Sequence, residues 1–344
     1  GGWFTNWVDT TTVLGPSQWE TFHVDQLIPW VDANLRTIAT REGRAVAGLS
    51  QGGFGSTTYP ARHPDMFISA ASFSGAPDID YNPMVAAGAT AVIQATAVGL
   101  DGVQPDAMFG SRATDEINWQ GHDPADLVTN LRGVDLWLYT ATGAPGPLDP
   151  TVPNPAAMGI EWLTYNSTQS FVQRAQLLGV PVHVEDYTFG THSWPYWARD
   201  LSQYMVPLME TFAHPTAPPA TTSYQSIDRS WSQWGWSVSL DRPADQQFSS
   251  LTAATAQGFT LEGTGNASVV TPALYAPGAR TTVTITDPLA TSSFPSYADS
   301  AGRMHITVPL GREQIPAEVG SAAVIGVPGI PPWGSTATVT IAAE

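Results

Sequence analysis

Gly43-Arg44-Ala45-Val46-Ala47-Gly48-Leu49-Ser50-Gln51-Gly52-Gly53 passes from a short apolar run through a serine flanked by glycines into small residues that open a helical stretch. This is the pattern of strand, sharp turn and helix. In the turn Gly48-x-Ser50-x-Gly52 small residues are needed because the backbone is strained and the helix closes tightly on the strand. The serine oxygen is thereby held above the sheet edge. The backbone N–H of Gln51, at the start of the helix, points where a tetrahedral oxyanion forms, and the helix dipole adds positive potential there. Ser50 is the candidate nucleophile and Gln51 a candidate oxyanion donor.

Working outward, the apolar stripe from Trp19 to Leu35 predicts an amphipathic helix kinked at Pro29. Apolar runs at Ile68 to Phe73, Val134 to Thr140 and Val180 to Tyr187 alternate with helical stretches from Ala156 to Leu178 and from Trp194 to Phe212. That alternation predicts an α/β domain whose sheet is largely parallel and covered by helices. The stretch His214-Pro215-Thr216-Ala217-Pro218-Pro219-Ala220 reads as an extended linker. The expected organisation is an α/β domain over residues 1–213, a linker over 214–223 and a β-sandwich-like domain over 224–344. Short β-branched runs from Trp236 to Leu240, Ser268 to Thr271, Thr281 to Thr286, His305 to Val308 and Thr336 to Ile341 carry the last of these. Trp231, Trp234 and Trp236 read as core of that domain, with a sugar- or polymer-binding face as the alternative.

A serine hydroxyl is a weak nucleophile near neutral pH and needs a base. His192 is the best placed, after the turn Phe189-Gly190-Thr191 and before a helix rich in Trp194, Tyr196 and Trp197. His183 is read as a packed strand residue, and His23, His63, His122, His214 and His305 as structural. The acid that orients the imidazole has two candidates between Ser50 and His192. Asp149 follows the run ending at Thr140 and its glycine-proline loop, and Glu161 stands near the start of the next helix. Spacing does not choose between them.

The chain has 344 residues, 42% of them hydrophobic, enough for two cores. Its formal net charge is -17, every basic residue is Arg, and the acidic excess falls mainly before residue 220. Such a surface offers nothing to a phosphate backbone, so nucleic acid is excluded as a partner. Without cysteine there is no disulfide, thiolate metal site or sulfur redox chemistry. No two histidines share ligand spacing, and the pairs Asp78/Asp80 and Glu185/Asp186 read as turn and surface groups, so neither metal nor cofactor is expected. No apolar run is seen to approach the roughly 20 residues that span a bilayer, and the chain reads as not membrane-spanning.

Four segments resemble one family: Gly1-Gly2-Trp3-Phe4-Thr5-Asn6-Trp7, Trp19-Glu20-Thr21-Phe22, Gly43 to Ser50, and Gly190-Thr191-His192-Ser193-Trp194-Pro195-Tyr196-Trp197. The chain to about residue 212 is similar to the antigen 85 mycolyltransferases and the wider esterase D-like α/β-hydrolases of actinobacteria. The resemblance implies an α/β-hydrolase domain. It favours Glu161 over Asp149, because the family places a Glu about thirty residues before its His and a Phe ten residues after that Glu, as Glu161 and Phe171 stand here. Trp194 is marked as a substrate-binding candidate. The resemblance also implies that the family's first strands, and the loop giving the second oxyanion N–H, precede Gly1, so that this chain is a fragment or cleaved product without full activity alone. Gln51-Gly52-Gly53 looks more like the general esterases of the group than the Ala-rich helix of antigen 85 proteins, and the β-domain has no counterpart in antigen 85.

The expected chemistry is a serine carboxylic ester hydrolase acting on an acyl ester or lipid through an acyl-enzyme on Ser50. A mycolyl-type acyltransferase, delivering the acyl chain to a sugar such as trehalose or to a lipid hydroxyl, is the near alternative. A non-catalytic cell-surface or carbohydrate-binding protein on a hydrolase scaffold is the distant one. The resemblance implies a secreted or cell-envelope location.

Overall fold

A computed structural model describes residues 2–152, 154–311 and 335–343. The chain divides into two units, Gly1–Ala217 and Pro218–Glu344. In the first, a π-helical turn Thr21–Leu27 runs directly into α1 (Ile28–Asn34). The stretch read as a kinked helix is therefore continuous, with a wide turn placed just before Pro29. The Ile28 N–H reaches back five residues to the His23 carbonyl, a widening that accommodates a proline unable to donate to the preceding turn.

There follow β1 (Ala45–Leu49), α2 (Gln51–Arg62), β2 (Ser69–Phe73), α3 (Pro83–Thr96), α4 (Glu116–Gln120), β3 (Asp135–Thr140), α5 (Pro155–Leu177), β4 (His183–Asp186) and α6 (Trp194–Ala213). The four strands form a parallel sheet in the order β1-β2-β3-β4. Each parallel pair needs a crossover, and the helices between strands supply it. β2 is buried at every residue, so its Ser69-Ala70-Ala71-Ser72-Phe73 lacks the alternation of a half-exposed strand. On one side of the sheet α6 packs Trp197 and Tyr204 against Ala71, Phe73 and Tyr139, with Leu49 of β1 at the margin. Elsewhere Phe54 of α2 meets Trp3, Trp7, Ile93 and Phe109 in a second core.

One reading is corrected here and two are refined. Helix α3 and the π-turn after it make an apolar segment, Pro83–Asp101, of 19 residues with mean hydropathy 1.5, long and apolar enough to cross a membrane by length and composition alone. Val85, Ala89, Ile93 and Ala97 face the core, while Met84, Val98 and Leu100 are exposed. Asp78 and Asp80 stand in the turn between β2 and α3 as read, but they are buried there, and their carboxylates bind the backbone of Asn82 and the guanidinium of Arg112. His183 opens β4 and lies flat on Trp137, ring centroids 4.2 Å apart, a packed strand residue as read, although half exposed.

In the second unit β5 (Thr222–Ser226) begins within the stretch read as linker. It is followed by β6 (Ser230–Gln233), β7 (Trp236–Asp241), β8 (Ser249–Thr255), β9 (Gly258–Gly263), β10 (Asn266–Val270), β11 (Arg280–Thr286), β12 (Thr291–Tyr297), β13 (His305–Pro309) and β14 (Ser335–Ala343). Two antiparallel sheets result, β13-β10-β7-β6 and β12-β11-β14-β9-β8-β5. Inward residues of both, among them Trp231, Trp236, Val269, Leu261 and Val283, share one core. Trp231 and Trp236 are thus core residues, and Trp234 packs partly buried against them. The outward positions are hydroxyl-rich, and neighbouring serines satisfy one another, Ser230 with Ser239 at 2.8 Å and Ser232 with Ser237 at 2.7 Å.

Candidate active site

Ser50 joins β1 to α2 with φ 53° and ψ -122°. A non-glycine residue at positive φ is strained and persists only where its surroundings over-determine it. Here the Ser50 N–H donates to the Phe73 carbonyl at 2.9 Å, and the Ser50 carbonyl accepts from the N–H groups of Gly53 and Phe54 at 2.8 and 3.2 Å. The turn is held from the strand side and from the helix side together. A Cβ on Gly48 would stand 2.1 Å from the Gly52 carbonyl oxygen, so glycine at 48 is what lets α2 close on β1. The Gln51 N–H opens α2 and is one of the groups that helix geometry leaves without an intrahelical acceptor.

His192 precedes α6 on the loop after β4, and its backbone N–H bonds to the Ala157 carbonyl of α5 at 3.2 Å. Its Nε2 lies 2.8 Å from Ser50 Oγ and its Nδ1 2.8 Å from Glu161 Oε2. An ionised carboxylate only accepts, so Nδ1 carries the proton and Nε2 presents its lone pair to the serine hydroxyl. Glu161 is fully buried on α5. Its Oε1 accepts from Ser74 Oγ at 2.9 Å and from the Ala141 N–H at 3.1 Å. Every carboxylate oxygen is therefore occupied, and the orientation of the acid is fixed from β2 and β3 as well as from its own helix.

A family model described as putative esterase matches residues 8–207. The chain belongs to this esterase family. Esterase Rv1288 of Mycobacterium tuberculosis strain H37Rv is 32% identical over 189 residues, covering 52% of this chain and 37% of that protein. Diacylglycerol acyltransferase/mycolyltransferase Ag85B of Mycolicibacterium smegmatis is 31% identical over 195 residues, 55% of this chain and 56% of that protein. Among solved structures, MPT51 of Mycobacterium tuberculosis aligns with a TM-score of 0.46 and 26% identity over 57% of this chain and 69% of that one. The chain spans 37% to 56% of the length of these curated relatives. The family match falls within the first unit, and the β-sandwich lies outside it.

Asp149, the other candidate acid, does not bond to His192, both of whose ring nitrogens are already engaged by Ser50 and Glu161. Its partners are the Thr191 hydroxyl, the Gly146 N–H at 2.8 Å and the Tyr196 hydroxyl at 2.9 Å. Trp194 is 70% exposed and stands one ring away from the histidine: it meets Trp197 edge-on at 5.2 Å, and Trp197 meets the His192 ring edge-on at 4.9 Å. Two groups escaped the sequence reading. Ser74, at φ 47° directly after β2, was hidden because its partner lies 87 positions away, although a Ser-Gly pair closing an apolar run marks a turn at the same sheet edge as Ser50. Trp197, noted in sequence only as part of the aromatic helix after His192, walls the imidazole.

Proposed function

We propose that the first unit is the catalytic part of a serine-dependent carboxylic ester hydrolase, with Ser50 as nucleophile, His192 as base, Glu161 as its orienting acid and the Gln51 N–H as an oxyanion donor. The observation that carries this is the unbroken hydrogen-bonded chain Ser50 Oγ, His192, Glu161 on three separate elements, ending in a buried carboxylate. In the first step His192 Nε2 takes the Ser50 proton as Oγ attacks the ester carbonyl, and Glu161 stabilises the resulting imidazolium. Collapse of the tetrahedral intermediate expels the alcohol, protonated by His192, and leaves an acyl-enzyme. Water, deprotonated by the same histidine, then releases the acid. No cofactor enters either step.

The same acyl-enzyme can pass its acyl group to a hydroxyl, and the likeness to a mycolyltransferase supports this as the second reading, with a sugar such as trehalose or a lipid alcohol as acceptor. Trp194, exposed beside the histidine loop, is the proposed contact for an apolar part of the substrate. A secreted or cell-envelope location is proposed on the family resemblance; finding the protein in the cytosolic fraction of its native cells would refute it. The function is tested by treating the chain with a fluorophosphonate. Labelling at Ser50, abolished in Ser50→Ala and strongly slowed in His192→Gln, is expected. Absence of a Ser50 adduct would overturn the enzymatic reading in favour of a binding protein. Hydrolysis of p-nitrophenyl esters with and without trehalose then separates the two activities, since a trehalose ester formed at the expense of free acid identifies the transferase.

A further inference from the structure

We propose that Asp149 and Thr191 are positioning residues for the base, a clamp that sets the loop bearing His192 against the loop after β3 and so aligns Nε2 with Ser50. The inference rests on the catalytic reading of Ser50 and His192. Two loops meet here. One follows β3 and contains Gly143, Ala144 and Gly146; the other follows β4 and contains Thr188, Gly190 and Thr191, immediately before His192. Backbone bonds already tie their outer parts, Thr142 N–H to the Thr188 carbonyl at 3.0 Å, Gly143 N–H to the Gly190 carbonyl at 3.1 Å and Gly190 N–H to the Ala144 carbonyl at 2.7 Å. None of these reaches the residue next to the histidine. The Asp149 carboxylate does: one oxygen accepts from the buried Thr191 hydroxyl, while the other accepts from the Gly146 N–H and from the hydroxyl of the fully buried Tyr196.

One charged group thus gathers donors from its own loop, from the residue before His192 and from the first turn of α6. Burial pushes the Asp149 pKa up, but the bonds from Thr191, Gly146 and Tyr196 outweigh it and leave the carboxyl below its ordinary range. It is an anion at neutral pH, and charge-assisted bonds of this kind are the stiffer ones. The joint is also close-packed: a Cβ on Gly146 would lie 2.4 Å from the Phe189 carbonyl oxygen and 2.6 Å from the Tyr196 hydroxyl. With two loops keyed together at Thr191, the one rotatable part left to His192 is its side chain, whose Nδ1 is taken by Glu161. An acid that fails to touch the imidazole therefore still governs where the imidazole stands.

The test compares Thr191→Val, which keeps the shape and removes the hydroxyl, with Thr191→Ser, which keeps the hydroxyl, and with Asp149→Asn and the double variant Thr191→Val/Asp149→Asn. Misplacing a catalytic group by a fraction of an ångström costs on the order of 10 to 100-fold in rate. A loss of about that size is expected in kcat and in the rate of fluorophosphonate labelling for Thr191→Val, with KM and Tm near those of the unmodified chain. Thr191→Ser restores the rate to within about threefold, and the double variant is no slower than Asp149→Asn, as partners in one interaction require. An unchanged rate in Thr191→Val, no recovery in Thr191→Ser, or additive losses would each overturn the clamp. If Ser50 proves unreactive in the unmodified chain, the catalytic reading fails by itself. The clamp is then judged by the downfield proton resonance of His192 Nδ1–H bonded to Glu161, which Thr191→Val is expected to broaden or shift and Thr191→Ser to preserve. An identical resonance in all variants would refute it.

Discussion

At the scale of single residues, the two oxygens of Glu161 have different duties, which lets two substitutions be ranked. Oε1 accepts from both Ser74 Oγ and the Ala141 N–H, while Oε2 alone meets His192. In Glu161→Gln the Ala141 N–H holds the amide oxygen at the first position and turns the NH2 group toward Nδ1. The imidazole must then carry its proton on Nε2, and Ser50 loses its base. A fall in kcat of about 10³ to 10⁴-fold with little change in KM is expected, the size seen when a serine hydrolase histidine is forced into the wrong tautomer. Ser74→Ala leaves the Ala141 donor in place, so a loss of roughly tenfold or less is expected. Steady-state kinetics on one p-nitrophenyl ester checks both, and Ser74→Ala matching Glu161→Gln would contradict the ranking. Ser50 and His192 are legible in the sequence because each stands in a contiguous stretch whose local chemistry is peculiar. Glu161 is not, because Asp149 also lies between strand and histidine; in the structure both acids serve the same loop, one through the imidazole and one through Thr191.

At the scale of elements, the glycines around Ser50 part company. A side chain on Gly48 meets the Gly52 backbone, and one on Gly53 stands 2.6 Å from the Gly75 Cα, but one on Gly52 meets nothing within 4 Å. Gly48→Ala is therefore expected to push α2 off β1, lowering Tm and abolishing Ser50 labelling. Gly52→Ala should be neutral or raise stability by about 0.5 to 1 kcal/mol, the usual gain for Ala over Gly inside a helix. Thermal melts with labelling check the contrast, and equal damage from both would mean that the close approach of Gly48 to the Gly52 backbone is not what seats α2 on β1. The strand, turn and helix around Ser50 are read from sequence because glycine spacing and an apolar run coincide. Helix α3 is not, since from Met84 to Leu100 every residue but Gln94 is apolar or small and periodicity has no polar face to register against. Strands β6 and β12 are hard to see for another reason: Ser230-Trp231-Ser232-Gln233 and Thr291-Ser292-Ser293-Phe294-Pro295 hold few β-branched residues, and Pro295 is tolerated because β12 is a sheet edge, paired among the described residues with β11 alone.

At the scale of the whole molecule, the formal charge of -17 hides an uneven distribution of buried acids. In the first unit, burial raises the carboxyls of Asp78, Asp123 and Asp126, and for the last two neighbouring aspartates push further in the same direction. Burial also lifts Asp200 from 3.8 to about 6, outweighing its bonds to Arg199 and Tyr187. A carboxyl raised in the folded state binds protons that the unfolded chain has released. Its stabilising share is full below the unfolded value of 3.8 and is lost as pH rises through the folded value, at a slope of up to about 1.4 kcal/mol per pH unit for each proton. Glu20 works the other way: burial pushes it up, but Arg62, His122 and His63 hold it well below 4.5, so its share is lost only as pH falls beneath that range. In the second unit the hydrogen bond from His305 lowers Asp299 to about 2, which again matters only in acid. From about pH 4.5 through about 6, where the Asp200 share is being lost, the two units should therefore diverge. Calorimetry of the full chain is expected to show one transition falling by several degrees as pH rises, accompanied by loss of Ser50 labelling, and another nearly fixed. Asp200→Asn should make the moving transition less steep without levelling it, because a neutral amide there has no proton to lose while Asp78, Asp123 and Asp126 keep theirs. A midpoint for the Ser50-containing unit that holds steady or climbs over this range would mean that its buried aspartates are ionised in the fold at little cost.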